Sequence, residues 1–313
     1  MRRAGGVLLV LLVLLLGACG GDADQPRGSR GRIGRFAPAA RATSPSPITT
    51  PSLSPSPLPP DPAAPFRFAV IGDFGAANDA EWSVAARMCR WHDLHPFSLV
   101  LTTGDNVYPD GAPSDFDAAF KQPFDCLFDR GVSFRASLGN HDIATDNGAP
   151  EIADPAFGMR GHKYVVRRGG VRFVIFDSNQ ITGPWLTDAL RSEPGDRWTV
   201  VVFHHPVFSS GTGHGSTPGF RPWMPRLFRR NGVDLVLNGH DHIYAVSDPL
   251  RRIRYVVTGG GGARLYDCRA RWFTDRCAAR HHFLTVVAGA DEITVRAVPP
   301  AGRPFDSFKT SGR

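Results

Sequence analysis

Lysine is nearly absent from this chain of 313 residues: it occupies only positions 121, 163 and 309, and arginine supplies the rest of the 36 basic residues. The arginines are scattered. At a formal net charge of +7 this spread excludes a nucleic-acid-binding stripe and leaves a mild attraction for anions. Long apolar runs are also scarce. The run from Val7 to Leu16 is ten residues long, about half of the ~20 that a membrane-spanning helix requires. No internal repeat is present. Cysteine is limited to five positions. What remains is 42% hydrophobic and 10% aromatic, enough for one large core or two modest ones.

The short apolar run has a context. Arg2 and Arg3 precede it, and Leu16-Gly17-Ala18-Cys19 followed by Gly20 and Gly21 ends it. A basic start, a short apolar stretch and small residues make an export signal. Leu-Gly-Ala-Cys resembles a bacterial lipobox, in which the cysteine is lipidated and becomes the new first residue. An ordinary secretory signal with an incidental cysteine is the plainer reading, but Cys19 falls where cleavage is expected. The expectation is therefore an exported lipoprotein, held to the cell membrane by a lipid anchor on Cys19. Residues 1–19 would be the signal, and loss of Arg2 and Arg3 with it leaves a charge of +5. Four cysteines then remain, Cys89, Cys126, Cys268 and Cys277. An even number in an exported chain favours disulfides over buried thiols. Of the three possible pairings, Cys89 with Cys126 and Cys268 with Cys277 is the expected one.

Residues 20–64 are rich in Gly, Pro, Ser and Arg, as in Ser44-Pro45-Ser46-Pro47. Such a segment favours extended polyproline backbone and builds no core, so it reads as a disordered spacer. From Phe66 the texture changes, and 65–313 reads as one catalytic domain. Apolar segments predict strands at 66–71, 98–102, 164–166, 171–176, 199–203, 235–237, 253–258, 283–287 and 293–297. A helix capped by Asn78 or Asp79 runs to about residue 92, with Trp82, Ala85, Ala86 and Cys89 on one face. Further helices are expected at 184–192 and 222–231. Early strand–helix alternation points to parallel pairing, and the closely spaced late strands to antiparallel pairing. The expected class is α/β, a four-layer αββα sandwich of two mixed β-sheets flanked by helices.

Five short segments carry the chemistry: Gly72-Asp73-Phe74-Gly75, Gly104-Asp105-Asn106-Val107-Tyr108, Gly139-Asn140-His141-Asp142, Val201-Val202-Phe203-His204 and Gly239-His240-Asp241-His242. Four follow a predicted strand, and the fifth sits at an apolar-to-Gly turn. Each offers oxygen or nitrogen donors suited to hard or borderline metal cations. Singly, Asp73 or Asp105 is as well read as a turn residue or a cap. As an ordered set in a chain with 11 histidines they read as a two-metal hydrolase. Gly259 to Gly262 follow a strand and are read as letting the backbone pass close to the site.

This set resembles the calcineurin-like metallophosphoesterase superfamily and, within it, the small tartrate-resistant branch of the purple acid phosphatases. The resemblance covers roughly residues 66–260. Most of the superfamily has Asp-x-His in the first motif; here Gly75 stands in place of that histidine, and Tyr108 lies three residues beyond Asp105. A lost histidine paired with a gained tyrosine is what the purple subgroup shows. The resemblance implies two metal ions, Fe(III) on Asp73, Tyr108 and His242 and a divalent ion (Fe, Zn or Mn) on Asn140, His204 and His240, with Asp105 shared. His205, beside His204, is left as a neighbour of the site or a structural residue. His141 is expected to face the substrate phosphate, and His214 either shares that role or is a solvated loop residue. The implied activity is acid-phosphatase-like hydrolysis of small phosphomonoesters by a metal-bound hydroxide, without a phosphoenzyme. A phosphodiesterase and a non-catalytic surface phosphate-binding lipoprotein are the alternatives.

Overall fold

The structure, a computed structural model, describes residues 64–312 apart from Thr182. The expected signal segment with Cys19, and the expected spacer up to residue 63, lie outside the described residues. The described part belongs to the second of two units, Leu58–Arg313.

Thirteen strands are present among the described residues. They are β1 (Phe66–Ile71), β2 (Leu99–Thr102), β3 (Ser133–Ala136), β4 (Lys163–Arg168), β5 (Val171–Phe176), β6 (Trp198–Val202) and β7 (Leu235–Asn238). Then follow β8 (Tyr244–Ser247), β9 (Arg254–Thr258), β10 (Thr274–Ala278), β11 (Phe283–Ala288), β12 (Glu292–Val298) and β13 (Asp306–Ser311). The helices are α1 (Asp79–Leu94), α2 (Asp125–Asp129), α3 (Ala149–Ala153), α4 (Gly183–Ala189) and α5 (Met224–Arg230). One sheet has the order β13-β12-β11-β1-β2-β3 and the other β10-β8-β9-β7-β6-β5-β4. β1, β2 and β3 run parallel, as do β5, β6, β7 and β9, and the remaining pairs are antiparallel. Both sheets are therefore mixed.

Side-chain alternation makes the layers. Phe68, Val70, Leu99 and Leu101 of the first sheet meet Phe173, Ile175, Val200 and Leu235 of the second in one inner core. On the outer face of the first sheet, Ala69, Ile71 and Val100 pack on Val84, Ala85 and Met88 of α1. On the outer face of the second, Val174, Val201 and Val236 pack on Leu186 of α4 and Phe228 of α5. Strands covered on both faces are largely apolar, which is why 66–71, 171–176 and 199–203 were legible. This is the expected αββα sandwich.

The structure departs from expectation in places. Trp82 is 44% exposed; the buried stripe of α1 runs through Glu81, Val84, Ala85 and Met88. Glu81 is drawn inward by capping: its side chain accepts from the Ala77 amide at 2.7 Å while Asn78 accepts from the Glu81 amide at 3.0 Å. β3, β8, β10 and β13 were not foreseen. β10 and β13 lie at sheet edges, where alternate residues face water and the apolar signal is lost. The disulfides pair as expected, Cys89 with Cys126 and Cys268 with Cys277.

Candidate metal centre

The parallel strands of each sheet end on the same side, so the residues just after them gather at one edge. Asp73 follows β1, Asp105 and Tyr108 follow β2, and Asn140 and His141 follow β3. From the second sheet, His204 follows β6, and His240 and His242 lie between β7 and β8. Three of these residues leave their strands through left-handed backbone: Asp73 at φ 55°, Asp105 at φ 51° and His240 at φ 71°. Each such turn costs about 1–3 kcal/mol. The packing that holds them is mutual. The Asp73 carboxylate accepts from the His240 amide at 2.9 and 3.0 Å, and Asp105 accepts from the His141 amide at 3.0 Å.

Asp105 is the junction. Its Oδ2 accepts from the Tyr108 hydroxyl at 3.0 Å and lies 3.4 Å from His204 Nε2. On one side, the Tyr108 hydroxyl is 3.1 Å from His242 Nε2, which is itself 3.5 Å from Asp73 Oδ1. Ligand atoms of Asp73, Asp105 and His242 all lie within 4.8 Å of one another. On the other side, His204 Nε2 is 3.0 Å from Asn140 Oδ1 and 3.1 Å from His240 Nδ1. All seven expected ligands thus form two groups that share Asp105.

The donor chemistry fits two cations. His204 Nδ1 meets the Thr103 carbonyl at 2.9 Å, and His242 Nδ1 meets the Arg264 carbonyl at 2.7 Å. A carbonyl only accepts, so both rings carry the proton on Nδ1 and aim a lone pair of Nε2 into the cluster. Burial holds His204, His240 and His242 well toward the neutral form. Burial, and then the charge of Asp105, pushes the Asp73 carboxyl up. Burial also raises Asp105, opposed first by the charge of His141. The Tyr108 phenol is raised by burial and then by Asp73 and Asp105. Convergent lone pairs and carboxyls that resist ionisation are what cations relieve, because a bound cation favours the anionic form of every one of these groups.

Gly75 explains the changed donor set. A Cβ there would lie 1.8 Å from the Asn106 carbonyl oxygen, and the Tyr108 amide donates to the Gly75 carbonyl at 2.7 Å. The segment that delivers Tyr108 crosses directly over position 75, so no side chain fits beneath it. The expected close approach at Gly259 is also present: a Cβ there would meet the Asp241 carbonyl at 2.2 Å and Asp73 Oδ2 at 2.8 Å.

Several neighbours border the cluster. His141 packs against Tyr108 with ring centroids 4.5 Å apart, and its Nδ1 is 2.6 Å from the Pro109 carbonyl. His214 stacks on His240 at 4.0 Å and 27°, so it faces the centre. His205 lies against His240 at 4.4 Å and exchanges hydrogen bonds with Ser178 through its ring at 2.8 Å and its amide at 3.0 Å. Three further residues were missed by sequence reasoning. Tyr266 stacks on His242 at 4.3 Å and 13°, with its hydroxyl 3.4 Å from His214 Nε2. Its position in a loop far from any ligand segment gave no signal. Asp142 and Asp241 are both wholly buried. Both sit inside the ligand segments, and an acid beside a ligand was the available signal.

A two-sheet sandwich with this double donor set at its strand ends defines a metal-dependent phosphohydrolase with a dinuclear centre. The model of the calcineurin-like phosphoesterase family matches residues 66–244, more than half of the chain, and the chain belongs to that family. It is similar to purple acid phosphatase 17 of Arabidopsis thaliana, 28% identical over 232 residues, which cover 62% of this chain and 68% of that one. Tartrate-resistant acid phosphatase type 5 of Rattus norvegicus is 24% identical over 302 residues, covering 80% of this chain and 91% of the relative. Among solved structures, the purple acid phosphatase PPD1 of yellow lupin shares the fold with a TM-score of 0.64 at 18% identity, over 80% of this chain and 54% of that one.

Proposed function

We propose that this chain hydrolyses small phosphomonoesters in the manner of a purple acid phosphatase. Fe(III) would be held by Asp73, Tyr108 and His242, a divalent ion by Asn140, His204 and His240, and both by Asp105. The observation that carries the reading is the Tyr108 hydroxyl, 3.0 Å from Asp105 Oδ2 and 3.1 Å from His242 Nε2, above a Gly75 that admits no side chain. A phenolate is a hard anionic donor and favours a trivalent cation. Once bound, the trivalent and divalent cations would supply charge neutralisation for the phosphoryl group and acidify water near neutral pH.

The chain's own residues do the rest. Asp105, pinned by the His141 amide, fixes the spacing of the two ligand groups. His141 Nδ1 donates a hydrogen bond to the Pro109 carbonyl, which leaves Nε2 for the substrate; with both ring nitrogens protonated it passes the Nε2 proton to the departing oxygen and keeps the one on Nδ1. His214, stacked on His240, serves the same oxygen. Export and a lipid anchor on Cys19 belong to the same proposal. Leu16-Gly17-Ala18-Cys19 supports them, and two disulfides suit an oxidising compartment. Replacing Cys19 by Ala is expected to move the phosphatase from the membrane fraction to the soluble one at unchanged specific activity; retention on the membrane would refute the anchor.

Metal analysis joined to an absorption spectrum tests the centre. Iron and a second metal are expected, with a visible band from Tyr108 phenolate to Fe(III). That band should vanish in Tyr108→Phe. An active wild type that is colourless and free of iron would overturn the ferric assignment.

A further inference from the structure

Asp241 lies between two of the ligand histidines, yet its carboxylate turns away from the cluster. It accepts from the amides of His214 and Gly215, each at 2.8 Å, and from the Ser209 hydroxyl. Ser209 Oγ in turn accepts from the Gly211 amide at 3.1 Å. Gly211 packs flat on the carboxylate, where a Cβ would meet Asp241 Cγ at 2.5 Å. The near end of this loop is tied elsewhere. The Thr212 amide donates to the Asp267 carbonyl at 2.9 Å, the Arg269 amide donates to the Ser210 carbonyl at 2.8 Å, and Cys268 beside them is bridged to Cys277. The far end, which bears His214, has its two backbone amides on Asp241.

We propose that Asp241 is the positioning residue for His214: one carboxylate clamps the His214 loop to the segment carrying His240 and His242, and so fixes the leaving-group side of the site. Its two oxygens divide the work. Oδ1 takes the His214 amide, and Oδ2 takes the Gly215 amide and Ser209. Asparagine has the same shape but only one accepting oxygen, so its NH2 would face a backbone N–H and release one end of the clamp. The clamp also explains why a ring on a glycine-flanked loop stacks at 4.0 Å on a ligand ring rather than swinging into solvent. The inference rests on the reading that His214 serves the leaving group.

The test uses Asp241→Asn, His214→Ala and the double variant, in the whole metal-loaded protein. Three readouts are taken: turnover of an alkyl and an activated aryl phosphate, metal content, and hydrogen exchange of the peptide spanning 209–216. Loss of a general acid costs about 10²–10⁴-fold where the leaving group is poor, and far less where it is good. D241N is expected to slow the alkyl phosphate by about tenfold or more, to slow the aryl phosphate much less, and to keep both metals. The double variant should be no slower than H214A, since both changes remove the same contribution. Exchange over 209–216 should rise at least about tenfold. Loss of metal with equal slowing of both substrates would overturn the proposal, as would unchanged exchange. If H214A shows no preference between the substrates, the catalytic reading of His214 falls, and exchange alone decides the clamp. Should D241N not fold, Ser209→Ala removes one of the three bonds and carries the same test at smaller amplitude.

Discussion

The two buried carboxylates next to the proposed ligands, Asp142 and Asp241, do opposite kinds of work. Asp142, on the first-sheet side, accepts from the amides of Asn106 at 2.7 Å, Val107 at 3.1 Å and Gly139 at 2.7 Å. Those amides flank Asp105 and Asn140, so Asp142 ties one ligand loop to another. Asp241, on the second-sheet side, ties a ligand segment to a loop that holds no proposed ligand. One half of the site is braced for metal geometry and the other for what lies above the metal. Asp142 is braced in turn: the Asn106 side chain donates to it at 3.0 Å and to Glu151 at 2.9 Å. Burial, and then the charge of Asp142, pushes the Glu151 carboxyl up.

The sharpest way to break this division is at the residue where the halves meet. Asp105 touches Tyr108 on one side, within ligand reach of His242, and His204 on the other. Asp105→Asn is expected to cut turnover more than any other ligand change, well beyond the ~10–100-fold typical of outer-shell substitutions. Both metals should fall together, because the amide supplies neither the charge nor the second oxygen. Metal content and turnover on one sample check this. A variant that kept both ions at a near-normal rate would show that the halves are independent.

Next in size is Asp142→Asn. Its NH2 would confront an amide N–H of Val107 and Asn106 or of Gly139, each already committed to an oxygen. Leaving a buried donor unsatisfied costs about 1–3 kcal/mol, more where the partner was charged. D142N should therefore unfold at lower denaturant and lose metal. D241N should keep metal and slow chiefly the substrates with poor leaving groups. If D142N behaved like D241N, with full metal and a leaving-group effect alone, the contrast between the two sides would be wrong.

How much of this could be read in advance follows from the same contrast. Asp73, Asp105, His240 and His242 stood out because predicted strands ending on glycine precede them, His204 because an apolar strand ends on it and Asn140 because it follows an apolar-to-Gly turn, and the structure brings all of them together. Tyr108 was legible only against the missing histidine at Gly75, whose cause, the chain crossing above it, is visible only in space. Asp142 and Asp241 stood inside the quoted motifs but were passed over, because their partners are backbone amides, and amides leave no mark in a sequence. Tyr266 arrives from another loop and had no local pattern at all. In the fold, strands covered on both faces declared themselves, whereas polar edge strands such as Asp306–Ser311 did not.

The smallest effect concerns a third buried carboxyl, Glu81, which sharpens the comparison by lacking what the other two have. Asp142 and Asp241 each collect several donors; Glu81 Oε2 takes the Ala77 amide at 2.7 Å, and its Oε1 has no partner. Burial then outweighs the capping bonds and pushes this carboxyl from 4.5 up to about 8. The folded state therefore holds a proton that the unfolded chain gives up from about pH 4.5. Wherever the folded state binds more protons, stability falls as pH rises. The contribution of Glu81 is complete below pH 4.5 and is lost progressively until about pH 8. His282 acts in the opposite sense: burial lowers it from 6.5 to about 4, so it adds stability as pH rises across that interval. The two offset each other between about pH 4.5 and 6.5, and of the pair only Glu81 still changes between 6.5 and 8. Glu81→Gln keeps an acceptor for Ala77 and has no proton to lose. The variant should gain on the wild type by on the order of a few kcal/mol between pH 5 and pH 8. Urea unfolding at the two pH values measures the difference. An equal gap at both would mean that Glu81 titrates as an ordinary carboxyl, and that a single capped oxygen holds a buried charge as well as the donors on Asp142 and Asp241 do.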